Sequence, residues 1–233
     1  MRKDIKNPKT IEQMFDRISK DYDKLNDLMS FGVHKKIKRE VIKTLSSLLL
    51  PLPSLSLLDL CTGTGDIAAL LRENYPDAKI IGLDFSDKML EIARKKHAGI
   101  EFLQGDCTQL PFEDESFDIC TISFGLRNIE NMQKALDEIY RVLKKGGVFV
   151  NIDLGKPNKF MNILIKPYMT FWIALLGKVF HGDETPYKYL AQSNETFPSQ
   201  KELIEIYKKI GFQNVKNKNY LFGQIASQFG TKG

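Results

Sequence analysis

Three cysteines, three histidines and one tryptophan are all that this 233-residue chain holds of those types. Cys61, Cys107 and Cys120 cannot all pair and no CxxC occurs, so a disulfide scaffold is excluded and free thiols in a reducing, cytoplasmic setting are expected. His34, His97 and His181 stand at no ligand spacing with cysteine or carboxylate, so no metal centre is expected. Charge of one sign is also scarce. The 34 basic and 29 acidic residues leave +5, spread along the chain, without the basic stripe of a nucleic-acid binder. Met1-Arg2-Lys3-Asp4 leads into no apolar run, so no secretory leader is expected. The longest apolar stretch, Phe160 to Phe180, is broken by Lys166-Pro167, whereas a membrane-spanning helix needs roughly 20 mostly apolar residues. There are no repeats or low-complexity tracts. Hydrophobic content of 42% and charged content of 27% are ordinary for a globular chain, and this length makes one domain, residues 1–233, the default.

What is present is concentrated at Leu57 to Asp66, LLDLCTGTGD. An apolar run ends in Asp59, a glycine turn follows at Gly63 and Gly65, and helix-forming residues come next. That is strand, tight turn, helix, the opening unit of a doubly wound α/β domain with its ligand at the strand's C-terminal end. A second apolar run, Lys79 to Leu83, ends in Asp84, placed to hold a ribose hydroxyl. The loop alone is ambiguous, because Gly63-x-Gly65-x-x-Ala68 also satisfies the dinucleotide pattern. Charge decides. A diphosphate seeks the N–H groups of a helix N-terminus, but here Asp66 opens the helix, Asp59 precedes the turn, and no Lys or Arg lies between Leu57 and Leu71. S-adenosylmethionine (SAM) carries a sulfonium, an ammonium and no phosphate, and suits such a loop. The plainer reading of Asp66 is a helix-terminal acid.

Later segments fit the same ligand. Ile100 to Asp106 reads as a third strand, with Asp106 placed to accept from an adenine amino group and the Cys107 amide to donate to a ring nitrogen. Ser116 to Ser123 reads as a fourth strand buried on both faces, and its exit, Ser123-Phe124-Gly125-Leu126-Arg127-Asn128, should sit beside the cofactor. A helix from Met132 to Leu143, a strand from Val148 to Asp153, an amphipathic helix from Lys201 to Ile210 and a final hairpin over Phe212 to Ile225, turning near Asn217-Lys218-Asn219, complete the pattern. Residues 1–50 read as a helical arm: Ile11, Met14, Phe15 and Ile18 share one face, and Val41, Ile42, Leu45, Leu48 and Leu49 repeat the spacing. Residues 157–200 read as a helical insertion, either a cover for the sheet or an apolar cap over a greasy acceptor.

The motif set resembles class I SAM-dependent methyltransferases, whose first loop often reads D/E-x-G-x-G-x-G; here Cys61 replaces the first glycine. A closer resemblance is carried by Tyr22 to His34 (YDKLNDLMSFGVH), Ile122 to Asn128 (ISFGLRN) and Tyr187-Lys188-Tyr189-Leu190 with Ser193. These are similar to the ubiquinone/menaquinone biosynthesis C-methyltransferases, over roughly Phe15 to Lys232. The resemblance implies a seven-stranded sheet with its last strand antiparallel. It also implies SAM contacts at Thr64, Asp84, Asp106, Cys107 and Ser123, and methylation of a polyprenylated quinol. Two positions depart from the family, Ile37 where an aromatic is frequent and Ser227-Gln228 where a histidine is common.

For that chemistry Arg127 is the candidate to stabilise a quinol oxyanion, a structural ion pair being its alternative. His34, Asp153 and Tyr22 are candidate proton acceptors, His34 because its ordinary pKa suits the task. Trp172, Phe171, Tyr168 and Met169, with Lys156, Lys159, Lys166 and Lys178, suggest peripheral contact with an anionic membrane on its cytoplasmic face. A homodimer is compatible with the sequence, which sets no oligomeric state. The competing readings are methylation of another small apolar acceptor, a non-catalytic SAM-binding module, and last an NAD-dependent oxidoreductase.

Overall fold

A computed structural model describes residues 7–46, 54–157, 163, 189 and 193–233. Alternation in the central strands explains their burial. In β1 (Ser56–Leu60), β2 (Lys79–Asp84) and β4 (Phe117–Ser123) neighbouring residues point to opposite faces. Leu57, Ile80 and Ile119 pack into one layer, and Leu58, Ile81 and Cys120 into the other. Both faces are apolar because both are covered, the signature of parallel strands. On one face lie α3 (Val33–Ser46), α4 (Asp66–Asn74) and α5 (Asp87–Lys96), through Val41, Ile42, Leu45, Ala68, Leu71 and Leu90. On the other lie α6 (Met132–Val142) and α7 (Gln200–Ile210), through Leu136, Ile139, Leu203 and Tyr207. Each fully buried valine, leucine or isoleucine among them contributes about 1.5–3 kcal/mol.

With β3 (Glu101–Gln104), β5 (Leu143–Leu154), β6 (Phe212–Tyr220) and β7 (Ile225–Lys232) the sheet has seven strands in the order β3-β2-β1-β4-β5-β7-β6. Strand β7 runs antiparallel to β5 and β6, and the remaining pairs are parallel. The expected class of fold, including its antiparallel last strand, is therefore present. Chain order reverses direction between β1 and β4, so the crevice beyond their C-terminal ends is the topological switch point where such sheets bind ligands.

The helices start and stop where local chemistry says they should. Ser86 caps α5 by accepting from the Met89 amide, Asp87 stands in its first turn, and Arg94, Lys95 and Lys96 close its last. Ser199 and Glu202 form a reciprocal capping box on α7, which ends at Gly211. The arm is three pieces rather than one: α1 (Pro8–Ile18), α2 (Tyr22–Ser30) and α3, with a tight turn at Ser19–Asp21 and a left-handed break at Phe31 and Gly32. Leu48 and Leu49 lie outside the described residues, as does most of the 157–200 insertion.

One expectation is corrected. The last hairpin does not turn at Asn217-Lys218-Asn219. Those residues lie within β6, paired with Gln228, Ser227 and Ala226, and the turn is at Leu221 to Gln224. Strand β6 ends the sheet order, and an edge strand tolerates polar residues that would be costly in a central one.

Candidate functional site

The glycine loop is held from below by two carboxylates. Asp59, at the end of β1, is 1% exposed and accepts from the Thr62 hydroxyl at 2.5 Å and the Thr121 hydroxyl at 2.7 Å. Burial pushes its pKa up to about 6, against those two hydrogen bonds. Asp84, at the end of β2, accepts from the Gly63 amide at 2.8 Å and the Ser86 amide at 2.9 Å, one on each oxygen. Burial raises Asp84 to about 6 as well, with its backbone hydrogen bonds pulling the other way. The turn itself closes through the Gly65 amide on the Thr62 carbonyl, 2.9 Å. Gly65 has φ +87, and a Cβ there would meet the His97 ring at 2.7 Å, so glycine is required. Cys61, in the place of the family's first glycine, takes φ +50. The left-handed geometry that glycine would adopt freely is thus kept by a residue that must bear roughly 1–2 kcal/mol for it.

Above this loop lies a cavity of about 350 Å³, at the low end of the range for small-molecule sites. Its inner wall brings together five of the eight predicted cofactor residues: Gly63, Asp84, Asp106, Cys107 and Ser123. The other three, Asp59, Thr64 and Gly65, support the loop from behind the lining; the Thr64 hydroxyl donates to Asp23 at 2.7 Å. The Ser123 hydroxyl is buried at the wall without a hydrogen-bond partner among the described residues. A buried hydroxyl with nothing to bond is costly unless a ligand or water meets it. The outer wall comes from the arm, through Ile11, Glu12 and Phe15 of α1 and Tyr22 of α2. Sequence reasoning singled out Tyr22 but missed the α1 part of that wall. Its signal, the amphipathic spacing of α1, read only as packing.

These features fit SAM. Asp84 can accept from ribose hydroxyls, Ser123 offers an unused polar group, and the carboxylates Glu12, Asp84 and Asp106 suit a cationic ligand. Among the described residues no group of three His, Cys, Asp or Glu could hold a metal ion.

The predicted catalytic residues are placed differently. Arg127 follows β4 in a short turn, Leu126–Asn128, and is 5% exposed. Its guanidinium donates to Asp153 Oδ1 at 2.7 Å and to the Phe124 carbonyl at 2.6 Å, while its own amide donates to Asp153 Oδ2 at 3.1 Å. Asp153 is 1% exposed. Arg127 and Asp153 thus meet each other as a buried ion pair behind the cavity lining. The neighbouring Asn128 does line the cavity and accepts from the Tyr189 hydroxyl at 3.0 Å. Asn128 received no role from the sequence, although it ends the SFGLRN stretch. His34 stands apart, its Nε2 at 3.0 Å from Asp27 Oδ1, with burial holding its pKa down at about 4. Of the proposed proton acceptors Tyr22 alone lines the cavity, and burial raises its phenol above the ordinary value.

Residues 2–232 match the ubiE/COQ5 methyltransferase family. The chain belongs to that family. Its relatives include the demethylmenaquinone methyltransferase of Lactococcus lactis, 42% identical over 97% of this chain and 91% of that one. That of Thermotoga maritima is 40% identical over 89% and 90%. Among solved structures, a SAM-dependent methyltransferase of Thermotoga maritima described as a possible histamine N-methyltransferase superposes with a TM-score of 0.69. It is 25% identical and covers 95% of this chain and 99% of that one. This member of the ubiE/COQ5 methyltransferase family is accordingly a SAM-dependent enzyme with the class I fold.

Proposed function

We propose that the chain methylates a ring carbon of a polyprenylated quinol, converting demethylmenaquinol to menaquinol. The observation that carries this reading is near-full-length similarity to demethylmenaquinone methyltransferases, on a chain whose switch-point cavity meets the needs of SAM. SAM, when bound, supplies an electrophilic methyl group. The chain's own residues do the rest. Asp84 holds the ribose, with Asp106 and the Cys107 amide at the adenine and Gly63 and Ser123 along the remaining length. Alignment of acceptor and donor can supply on the order of 7–11 kcal/mol at best. Arg127, paired with Asp153 behind the lining, braces the turn that sets Asn128 at the cavity wall. Tyr22, at the wall, passes the departing proton on through water; its raised pKa keeps it a phenol at neutral pH. Asp153 is committed to Arg127 and His34 to Asp27, which leaves both less apt as proton acceptors.

The same proposal includes a place of work. A prenyl tail lives in a bilayer, and among the described residues no helix is long and apolar enough to cross one. On this reading the enzyme meets its acceptor at an anionic membrane surface on the cytoplasmic side, through the aromatic stretch 160–180 with Lys156, Lys159, Lys166 and Lys178; within 160–180 only Ile163 is among the described residues. The test is purified protein, SAM and demethylmenaquinol in anionic vesicles, followed by mass spectrometry for a product heavier by one methylene. A demethylated ubiquinone precursor is run alongside. No methylation of demethylmenaquinol under conditions where SAM binds would overturn the reading.

A further inference from the structure

The arm does more than roof the cavity; it is tied to one donor of Asp84, Ser86, and to the neighbour of the other, Thr64. Asp84 is held by the amides of Gly63 and Ser86. Next to Gly63, the Thr64 hydroxyl donates to Asp23 of α2 at 2.7 Å. Ser86 itself donates its hydroxyl to Asp16 of α1 at 2.7 Å, while accepting from the Met89 amide at 3.2 Å. Lys96 and Lys88, both on α5, add ion pairs to Asp23 and Asp16. Both arm carboxylates therefore land one covalent step, or none, from a group that fixes the ribose-binding acid.

Packing makes this connection breakable. Helix α3 is built into the main core through Val41, Ile42 and Leu45. Helices α1 and α2 meet the body through a separate small cluster, Ile18, Leu25 and Met89, with Phe15, Tyr22 and Met29 half-buried around it. A segment with few buried apolar contacts opens locally at low cost. Between α2 and α3 the backbone turns left-handed at Phe31 (φ 49) and Gly32 (φ 70), a junction able to absorb a rotation.

We propose that Asp16 and Asp23 are positioning residues of the cofactor site, which latch α1–α2 over the cavity so that arm docking and cofactor retention are one event. The inference rests on the cavity being the cofactor's. The arm makes the outer wall, so swinging α1–α2 away widens the way in and out for the cofactor. Opening breaks the Asp16–Ser86 and Asp23–Thr64 bonds and loosens the frame of Asp84. By linkage, a ligand in the cavity favours the docked arm as much as the docked arm favours the ligand.

The experiment uses the unaltered full chain and S-adenosylhomocysteine, with no quinol. Limited trypsin digestion, mapped by mass spectrometry, follows cleavage after Arg17, Lys20 and Lys24 in the arm. Bound S-adenosylhomocysteine should slow those cuts by about tenfold or more, because proteolysis reports the population of the open form. The double variant Asp16→Ala with Asp23→Ala, which removes both acceptors, should lose that protection. It should release S-adenosylhomocysteine roughly tenfold faster in stopped-flow, with affinity lowered to match. Binding of S-adenosylhomocysteine by the parent tests the cofactor reading by itself. Given that binding, arm cleavage equally fast with and without ligand overturns the latch, and so does a folded double variant with an unchanged release rate. Should the variant not fold, the digestion of the parent decides.

Discussion

The two ends of the site are built from different materials. At the β1–β2 end Asp84 is gripped by main-chain amides, those of Gly63 and Ser86, and keeps accepting capacity toward the cavity. At the β4–β5 end Arg127 and Asp153 grip each other, side chain to side chain, at 5% and 1% exposure. The first arrangement is a receptor: a carboxylate pre-positioned by backbone whose remaining lone pairs face an open volume. The second is a strut whose charges are already spent on one another. A charge held by backbone can be altered with a local consequence. A charge held by its counter-charge inside the protein cannot, because removal leaves the partner buried and unpaired.

The largest expected effect follows from that asymmetry. Arg127→Ala should cost about 3–5 kcal/mol of stability, measured by urea unfolding, since Asp153 is left uncompensated. Arg127→Lys should recover only part, because a lysine ammonium ends one bond short of Nη1, the single nitrogen that donates to both the Phe124 carbonyl and Asp153. If Arg127→Ala unfolds at the parental urea concentration, the pair is no strut and the contrast between the two ends fails.

Asp84→Asn is the matched change at the other end. It should weaken SAM binding by roughly 1.5–3 kcal/mol, one charge-assisted hydrogen bond, and lower the stability of the ligand-free protein by about 1–3 kcal/mol, less than Arg127→Ala, because the new amide meets one of the Gly63 and Ser86 N–H groups donor to donor. The pH dependence gives the sign. Burial raises Asp84 to about 6 from an ordinary value of 3.8, so the folded state favours its neutral form. Its contribution to stability is full below about pH 4 and is lost as pH rises through 6. Affinity for SAM runs the other way, falling as pH drops through 6. Titration calorimetry between pH 5 and 8 should show that fall in the parent and not in Asp84→Asn. A parallel fall in both would move the titrating group elsewhere.

Ser123→Ala sharpens the comparison at its midpoint, the end of β4. The hydroxyl is buried without a partner among the described residues, so its loss should leave the ligand-free fold unchanged or more stable by up to about 1 kcal/mol. SAM affinity should drop by roughly 0.5–1.5 kcal/mol where the ligand supplies the missing bond. Opposite signs in the two measurements are the diagnostic. Lower stability together with unchanged affinity would make Ser123 a structural residue.

The same division explains what could be read from the sequence. Glycine spacing and strand-terminal acids dictate backbone geometry, and backbone geometry fixes Gly63, Asp84 and Asp106 relative to one another. The sheet was legible for the same reason, since runs apolar on both faces must be parallel and covered. Arg127 with Asp153 was not legible as a pair. They lie 26 residues apart, and their meeting depends on the parallel register that sets Ser123 beside Ile152. The arm's place at the cavity was hidden likewise. Periodicity in Ile11, Met14, Phe15 and Ile18 announces a buried face without saying what it is buried against. The hairpin turn was misplaced because Asn-Lys-Asn mimics a turn, whereas the true one forces Leu221 and Phe222 to φ 48 and 57, a choice no propensity favours.

The smallest expected effect on activity belongs to His34, the candidate base that stands off the cavity. Its Nε2 faces Asp27, while Lys38 and Lys35 oppose its protonation and Asp66 favours it. Burial dominates, so the ring is neutral down to about pH 4, below an unfolded value of 6.5. A neutral histidine outside the lining neither takes the acceptor's proton nor charges the site at pH 7. His34→Gln should therefore change turnover less than threefold, under about 0.7 kcal/mol. Stability behaves otherwise. Because folding lowers this pKa, the His34 contribution is full above pH 6.5 and is lost as pH falls toward 4, opposite in sign to that of Asp84 over nearly the same window. Replacing His34 by Gln should thus make the protein relatively more stable at pH 5 than at pH 7.5 when compared with the parent, by on the order of 1 kcal/mol. Thermal unfolding at the two pH values measures the difference. A tenfold loss of turnover at pH 7 with unchanged SAM affinity would instead return His34 to the chemistry.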